Sequence, residues 1–212
     1  MNLGELATHI KQAKLRDQYE PSLWQWSELI MYLNEAQSIF ARRTHCLVDD
    51  ESEFTEIVTE PGKAKYTLDP RIIHVIDVVD STGYSLRNMQ RRKFPSRLAE
   101  GKPRVYGLDA ASRHIRLSPV PDDEYTLHML VARKPLRRLE SEFDEPEIPE
   151  EYHLLLCDWV VYKALANNDP EGSNTVAADG FRAEWEVGLL QAKREIYRQR
   201  TGENPTAFRG WV

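Results

Sequence analysis

Cysteine is scarce in this chain: Cys46 and Cys157 are the only two among 212 residues, far apart and outside any CxxC pair. That excludes a disulfide-built scaffold and fits buried thiols in a reducing compartment. Long apolar runs are missing too. No stretch approaches the ~18 residues of a membrane span, and the opening MNLGELATHIKQ carries Glu5 and no apolar signal core. The sequence therefore predicts synthesis in the cytosol and no membrane partner. Positive charge is not in excess: 28 Lys and Arg against 34 Asp and Glu leave a net charge of −6. A protein whose whole surface binds nucleic acid is thereby excluded.

Catalytic signatures are absent as well. There is no GxxxxGK[ST], no GxGxxG, no GxSxG and no HExxH. The histidines (His9, His45, His74, His114, His128 and His153) are all more than four residues from one another. His45 beside Cys46 invites a metal or activated-thiol reading. A metal site needs three or four ligands, and nearby Asp49 and Asp50 are poor companions for thiolate on zinc. A histidine at a helix C-terminus, near the negative end of the dipole, accounts for the pair. His74, Asp77 and Asp80 recur at intervals of three, so on a strand His74 and Asp77 point to opposite faces and form no dyad. The acidic run ESEFDEPEIPEE lacks the glycine turn and ligand spacing of a calcium loop and is expected to be a solvated linker. No catalytic residue, metal or cofactor is expected.

What is present is a change of period along the chain. Leu3, Leu6, Ala7, Ile10, Ala13 and Lys14 fall at helical spacing, predicting a short helix over 3–15. After Pro21, Trp26, Leu29, Ile30, Leu33, Ala36, Ile39 and Phe40 form a stripe over four turns, with Ser22 or Ser27 as the expected cap. Trp26 is then a core residue and Trp24, just ahead of the helix, a surface contact. From residue 49 to 135 short β-rich runs alternate with turns: EFTEIVTE, GKAKYTLDP, RIIHVIDVVD, STGYSL, RVYGLD, HIRLSP and YTLHMLVARKP. An antiparallel sheet or small sandwich is predicted there. Helix returns after the acidic run: YHLLLCDWVVYKALA is apolar on nearly every side, as a central bundle helix is. A last helix from near Ser173 carries Ala177, Phe181, Trp185, Leu189, Ala192 and Ile196, with Gly188 on the same face and Gly202 just past its end.

Neither helical half is large enough to hold a core alone. The expectation is an α+β chain: residues 1–48 and 136–201 form a helical bundle, 49–135 an inserted antiparallel β region, and 202–212 an extended docking tail. In that tail Gly202 and Pro205 stop the helix, and Phe208, Arg209, Trp211 and Val212 end the chain with two aromatic rings. Charge is clustered too. Arg87, Arg91, Arg92, Lys93 and Arg97 lie in one basic stretch of the β region; Glu142, Asp144 and Glu145 lie in the acidic run. The basic stretch fits contact with phosphates or with an acidic neighbour, and the acidic run of a second copy is such a neighbour.

Taken in order, WSELIMYLNEAQSIFARRT, YTLDPRIIHVIDVV, IRLSPVPDDEYTLHMLVARKPL and IPEEYHLLLCDWVVYKALANND, followed by a long last helix, resemble the head-to-tail adaptor (connector) proteins of tailed bacteriophages. The resemblance covers roughly residues 3 to 200 as a pattern of segments, with no diagnostic short motif. It implies a non-enzymatic structural protein, made in the host cytoplasm and placed in the virion neck. It further implies a homo-oligomeric ring, a dodecamer in the usual case, beneath the portal protein, extending the channel for genomic DNA and presenting a surface to tail or neck proteins. The aromatic tail then docks on the portal. Two other readings stay open: a tail-completion protein at the lower end of the neck, and a hydrolase using scattered Asp, Glu and His residues.

Overall fold

The computed structural model describes residues 1–16, 23–89, 99–109, 113–167 and 175–202. The chain is α+β, as the succession of periods predicts, and it divides into two compact units: Met1–Leu47 with Lys134–Val212, and Val48–Arg133.

The first unit is helical. Helix α1 (Leu3–His9) starts at a reciprocal cap: the Asn2 side chain accepts from the Glu5 N–H at 2.9 Å, and the Glu5 carboxylate accepts from the Asn2 N–H at 3.0 Å. It runs on through a π turn, Ile10–Lys14, and buries Leu3, Leu6, Ala7 and Ile10 completely. Lys14, on the expected apolar stripe, instead forms an ion pair with Asp158. Helix α2 (Trp26–Thr44) buries Leu29, Leu33, Ala36 and Phe40. Its first turn is closed by Glu28, whose carboxylate accepts from the Gln25 N–H at 3.3 Å; Ser27 is inside that turn, not its cap, and Ser22 lies outside the described residues.

The two tryptophans here exchange their expected places. Trp24 is only 8 % exposed, and its indole N–H donates to the Ala164 carbonyl at 3.3 Å, whereas Trp26 is 38 % exposed. The reason is directional. Helical side chains lean toward the N-terminus, so a residue at the first helical position covers space beyond the end of its own helix rather than the core. Residue 24 precedes the helix and does not obey its phase.

A short 3₁₀ turn, Glu150–Tyr152, leads into α3 (His153–Asn167), which buries Leu156, Cys157, Val160, Val161 and Ala164. Helix α4 (Thr175–Thr201) packs on it through Ala178, Trp185, Leu189, Ala192 and Ile196. The buried alanine is Ala178; Ala177, expected on the stripe, is exposed. Gly188 lets α3 approach, because a Cβ there would sit 2.5 Å from the Leu155 Cδ1. Trp185 is fully buried, with ring centroids 5.6 Å from Trp159 and 6.3 Å from Phe40. Gly202 ends the helix in the left-handed region (φ +63°), its N–H donating to the Arg198 carbonyl at 2.9 Å.

The second unit holds two four-stranded sheets. Its strands are β1 (Val48–Asp49), β2 (Glu56–Val58), β3 (Lys65–Thr67), β4 (Ile72–Asp80), β5 (Arg87–Asn88), β6 (Val105–Asp109), β7 (His114–Ser118) and β8 (Thr126–Arg133). In the first sheet β8 is central, paired antiparallel with β4 along one edge and with β1 and β2 along the other. The second sheet has the order β3-β7-β6-β5, with the β5–β6 pair parallel. Both sheets send side chains into one core, including Val75, Val78, Tyr106, Leu117, Met129 and Val131.

Two local expectations are corrected here. Glu53–Thr55 is a 3₁₀ turn, so only Glu56–Val58 of EFTEIVTE is strand. Strand β4 buries Ile72, Val75 and Val78, a spacing of three rather than two. Register shifts between Ile72 and His74 and between Val75 and Asp77 each move the side-chain phase by one residue, so His74 and Asp77, opposite Ala132 and Leu130, share a face instead of pointing to opposite ones.

Candidate assembly surfaces

Positive charge gathers on the second sheet. Strand β5 lies along β6 so that the Arg87 N–H donates to the Arg104 carbonyl at 3.0 Å, setting two exposed arginines side by side. Lys65 and Arg116 face each other across β3 and β7, on the side opposite the buried Tyr66 and Ile115. Lys102 is committed elsewhere: its ammonium sits 2.6 Å from the buried Asp80 carboxylate. That carboxylate also accepts from the Thr82 N–H at 2.9 Å, the Thr82 hydroxyl at 2.5 Å and the Tyr84 N–H at 3.0 Å. The Lys102 contact, reinforced by Thr82, holds Asp80 far below the usual carboxylate range. Arg91, Arg92, Lys93 and Arg97 lie outside the described residues.

The acidic run is built into the helical unit. The first N–H groups of a helix have no partner inside it. Here the Leu3 N–H donates to the Asp144 carbonyl at 2.7 Å and the Gly4 N–H to the Glu142 carbonyl at 2.9 Å. The Asp144 carboxylate accepts from the Glu140 and Ser141 N–H groups, both at 2.7 Å, which lowers its pKa. Glu147 accepts from the Leu136 and Arg137 N–H groups at 2.6 and 2.8 Å. Deeper in, Asn34 of α2 donates to the Leu139 carbonyl and accepts from the Leu139 N–H, both at 2.9 Å. The expected solvated linker is therefore a pinned strap, with Glu142 and Glu145 exposed along it and Asp144 turned into its own turn. Sequence reasoning missed this, although Asn34 and Gln37, two amides on the inner face of an amphipathic helix, were the available signal.

Two open hollows flank the strap. One, of about 710 Å³, is lined by α1 residues including Glu5, Thr8 and His9 together with Trp26 and Phe143. The other, of about 340 Å³, lies between α2 and residues 135–138, with Met31, Glu35, Arg137 and Arg138 at its rim and Gln37 in its floor.

Among the described residues no three His, Cys, Asp or Glu side chains converge to hold a metal, and no helix is long and apolar enough to cross a membrane. His45 is the left-handed residue (φ 59°) that ends α2, and its carbonyl accepts from Arg200 at 2.6 Å. Burial raises the pKa of the neighbouring Cys46 thiol, and it pushes Cys157 up to about 12, so both thiols stay protonated at neutral pH. Phe208, Arg209, Trp211 and Val212 lie outside the described residues.

No curated protein matches the chain. The family model for the SU10 adaptor protein matches residues 1–209, which takes in both units and all but the last three residues. The chain therefore belongs to the SU10 adaptor protein family, whose members are structural adaptors of bacteriophages.

Proposed function

We propose that copies of this chain form a ring, a dodecamer, beneath the portal protein of the filled head, in the neck of the virion. The ring extends the channel for genomic DNA and offers the surface on which tail or neck proteins dock. Its role is structural, without catalysis. The observation that carries this reading is the family match over residues 1–209. The charge pattern supports it. A ring of identical copies needs two different complementary faces on each copy. In this reading Arg87 and the basic stretch that follows it in sequence, with Arg91, Arg92, Lys93 and Arg97, supply the positive one, and the acidic run with Glu142, Asp144 and Glu145 the negative one, Glu142 and Glu145 being its exposed carboxylates. A net charge of −6 suits a channel through which DNA slides without sticking.

The C-terminal segment supplies attachment. Phe208 and Trp211 enter apolar crevices of the portal, with Arg209 and Val212 beside them, and repetition around the ring multiplies weak single contacts. The test uses DNA-filled, tailless heads incubated with the purified chain and imaged after sedimentation. The expected result is new ring density under the portal, lost when the chain is cut after Thr201. A chain that ignores heads and binds isolated tails belongs to the lower end of the neck instead. A truncated chain that binds heads as tightly as the full one removes the docking role of the tail.

A further inference from the structure

We propose that the outer face of α4 is where the next copy of this chain packs, seated in the hollow between α2 and residues 135–138. The inference rests on the ring described above and names the contact that closes it.

Helix α4 buries Trp185, Leu189, Ala192 and Ile196 on one side. Directly opposite, at the three- and four-residue spacing of a single face, lie Glu184, Val187, Leu190 and Gln191, all exposed. Val187 is 56 % and Leu190 49 % exposed. One turn earlier Gly180 has open space around its Cα, so a neighbouring surface can approach closely. A helix with one buried stripe is normally polar on its other side. Two adjacent aliphatic side chains there, flanked by a carboxylate and an amide, are what a second packing surface requires.

The hollow offers the matching groups. Met31, 52 % exposed, supplies the apolar contact, and Arg137 and Arg138 supply positive charge for Glu184. Beneath it Gln37 is buried. Gln37 is 2 % exposed, and its amide nitrogen donates to the Asn34 side-chain oxygen at 3.1 Å. The Asn34 amide is itself oriented by its two bonds to the Leu139 backbone, which fixes which end of Gln37 is oxygen. The Gln37 Oε1 is left buried and without a partner. Such an atom destabilises the chain locally. Apolar contact and ion pair thus both have their second half on the same chain, and this charge and shape complementarity identifies the occupant as another copy. The two patches differ, so the contact is heterologous and propagates around a ring.

Disulfide trapping tests this. Met31→Cys and Val187→Cys replace exposed side chains, and each variant should melt like its parent. The doubly substituted chain is oxidised both free and after addition to filled, tailless heads, and is run on a denaturing gel without reductant. A ladder of covalent oligomers is expected from the head-bound protein. An equimolar mixture of the two single variants should give covalent dimers only, and each single variant alone should give none. Protein bound to heads with no ladder overturns the α4 contact and leaves the neck assignment standing. A ladder from free protein that does not join heads supports the contact and removes the neck assignment. Dimers from Val187→Cys alone mean that α4 pairs with α4, which also overturns the proposal. No ladder in either state, with no head binding, removes both.

Discussion

Trp185 is the residue on which the helical unit converges, fully buried and in tilted ring contact with both Trp159 of α3 and Phe40 of α2. Replacing it with Ala removes a large apolar volume at the junction of three helices, where none can move without disturbing another. The expected loss is about 3–5 kcal/mol in chemical denaturation. An almost unchanged midpoint would mean that the helices do not share this core. In the β unit the corresponding residue is polar. Asp80 is buried, ion-paired with Lys102 and hydrogen-bonded by the turn it begins. Its carboxyl titrates well below an unfolded aspartate, whose pKa is ~3.9. The ionised form therefore contributes stability in full above the unfolded pKa, and that contribution is lost as pH falls through the folded value. Acid titration of Asp80→Asn, followed by circular dichroism, should show lower stability at neutral pH and a shallower decline below about pH 4 than the parent. Parallel acid profiles for the two proteins would rule out Asp80 as a source of the decline.

At the scale of elements, the contact between α3 and α4 depends on one missing side chain. Gly188→Val places branched carbons where Leu155 already lies, since even a Cβ would be 2.5 Å from its Cδ1. Overpacking of this kind costs about 1–3 kcal/mol, measurable as a lower melting temperature. Gly188→Ala should be milder, because gained helix propensity offsets part of the displacement of a flexible Leu155. The role of Gly188 was legible in the sequence, because the 3.6-residue period places it on the same face as Trp185 and Leu189. The same period misassigned Trp26 to the core, because a helix stripe carries little information about its first turn, and Trp24, expected at the surface because it precedes the helix, is buried. Strand β4 failed for a related reason: two register shifts change its phase, and nothing in RIIHVIDVVD marks them. The acidic strap was legible only in part: Asn34 and Gln37 on the inner face of α2 were its side-chain signal, while the bonds from Leu3 and Gly4 are main-chain and leave no residue signature. The charge clusters of the candidate surfaces were plain in the sequence. That Lys102 belongs to Asp80 and Asp144 to its own turn was not, since both depend on where the chain folds back.

For the whole molecule, the decisive feature is where the β unit leaves the helical one. Strand β1 begins at Val48, β8 ends at Arg133, and Val48 pairs with Ala132. Paired residues of antiparallel strands have Cα atoms only ~4.5–5.5 Å apart, so the two ends of the insertion emerge side by side. The helical unit thus needs no more than a tight turn between residues 47 and 134 to remain connected. The β unit in turn has its own apolar core, drawn from both sheets. A chain in which 48–133 is replaced by a short Gly-Ser turn should therefore fold into a cooperative helical protein. The excised segment 48–133 should fold into the β unit by itself, being longer than the ~40 residues below which a domain usually needs a staple. Circular dichroism would give the helix content of the first piece, and the spread of amide resonances would show whether each has a packed interior. A molten or aggregated product from either piece would mean that the two units complete a common core. If both fold, the insertion is an independent module, and the shortened helical chain can be added to filled heads to ask which unit carries attachment. With α4 in the helical unit and the tail following it in sequence, the proposed attachment predicts that the shortened chain still binds. Binding that needs the β unit would move the head contact to the basic sheet around Arg87 and Arg104.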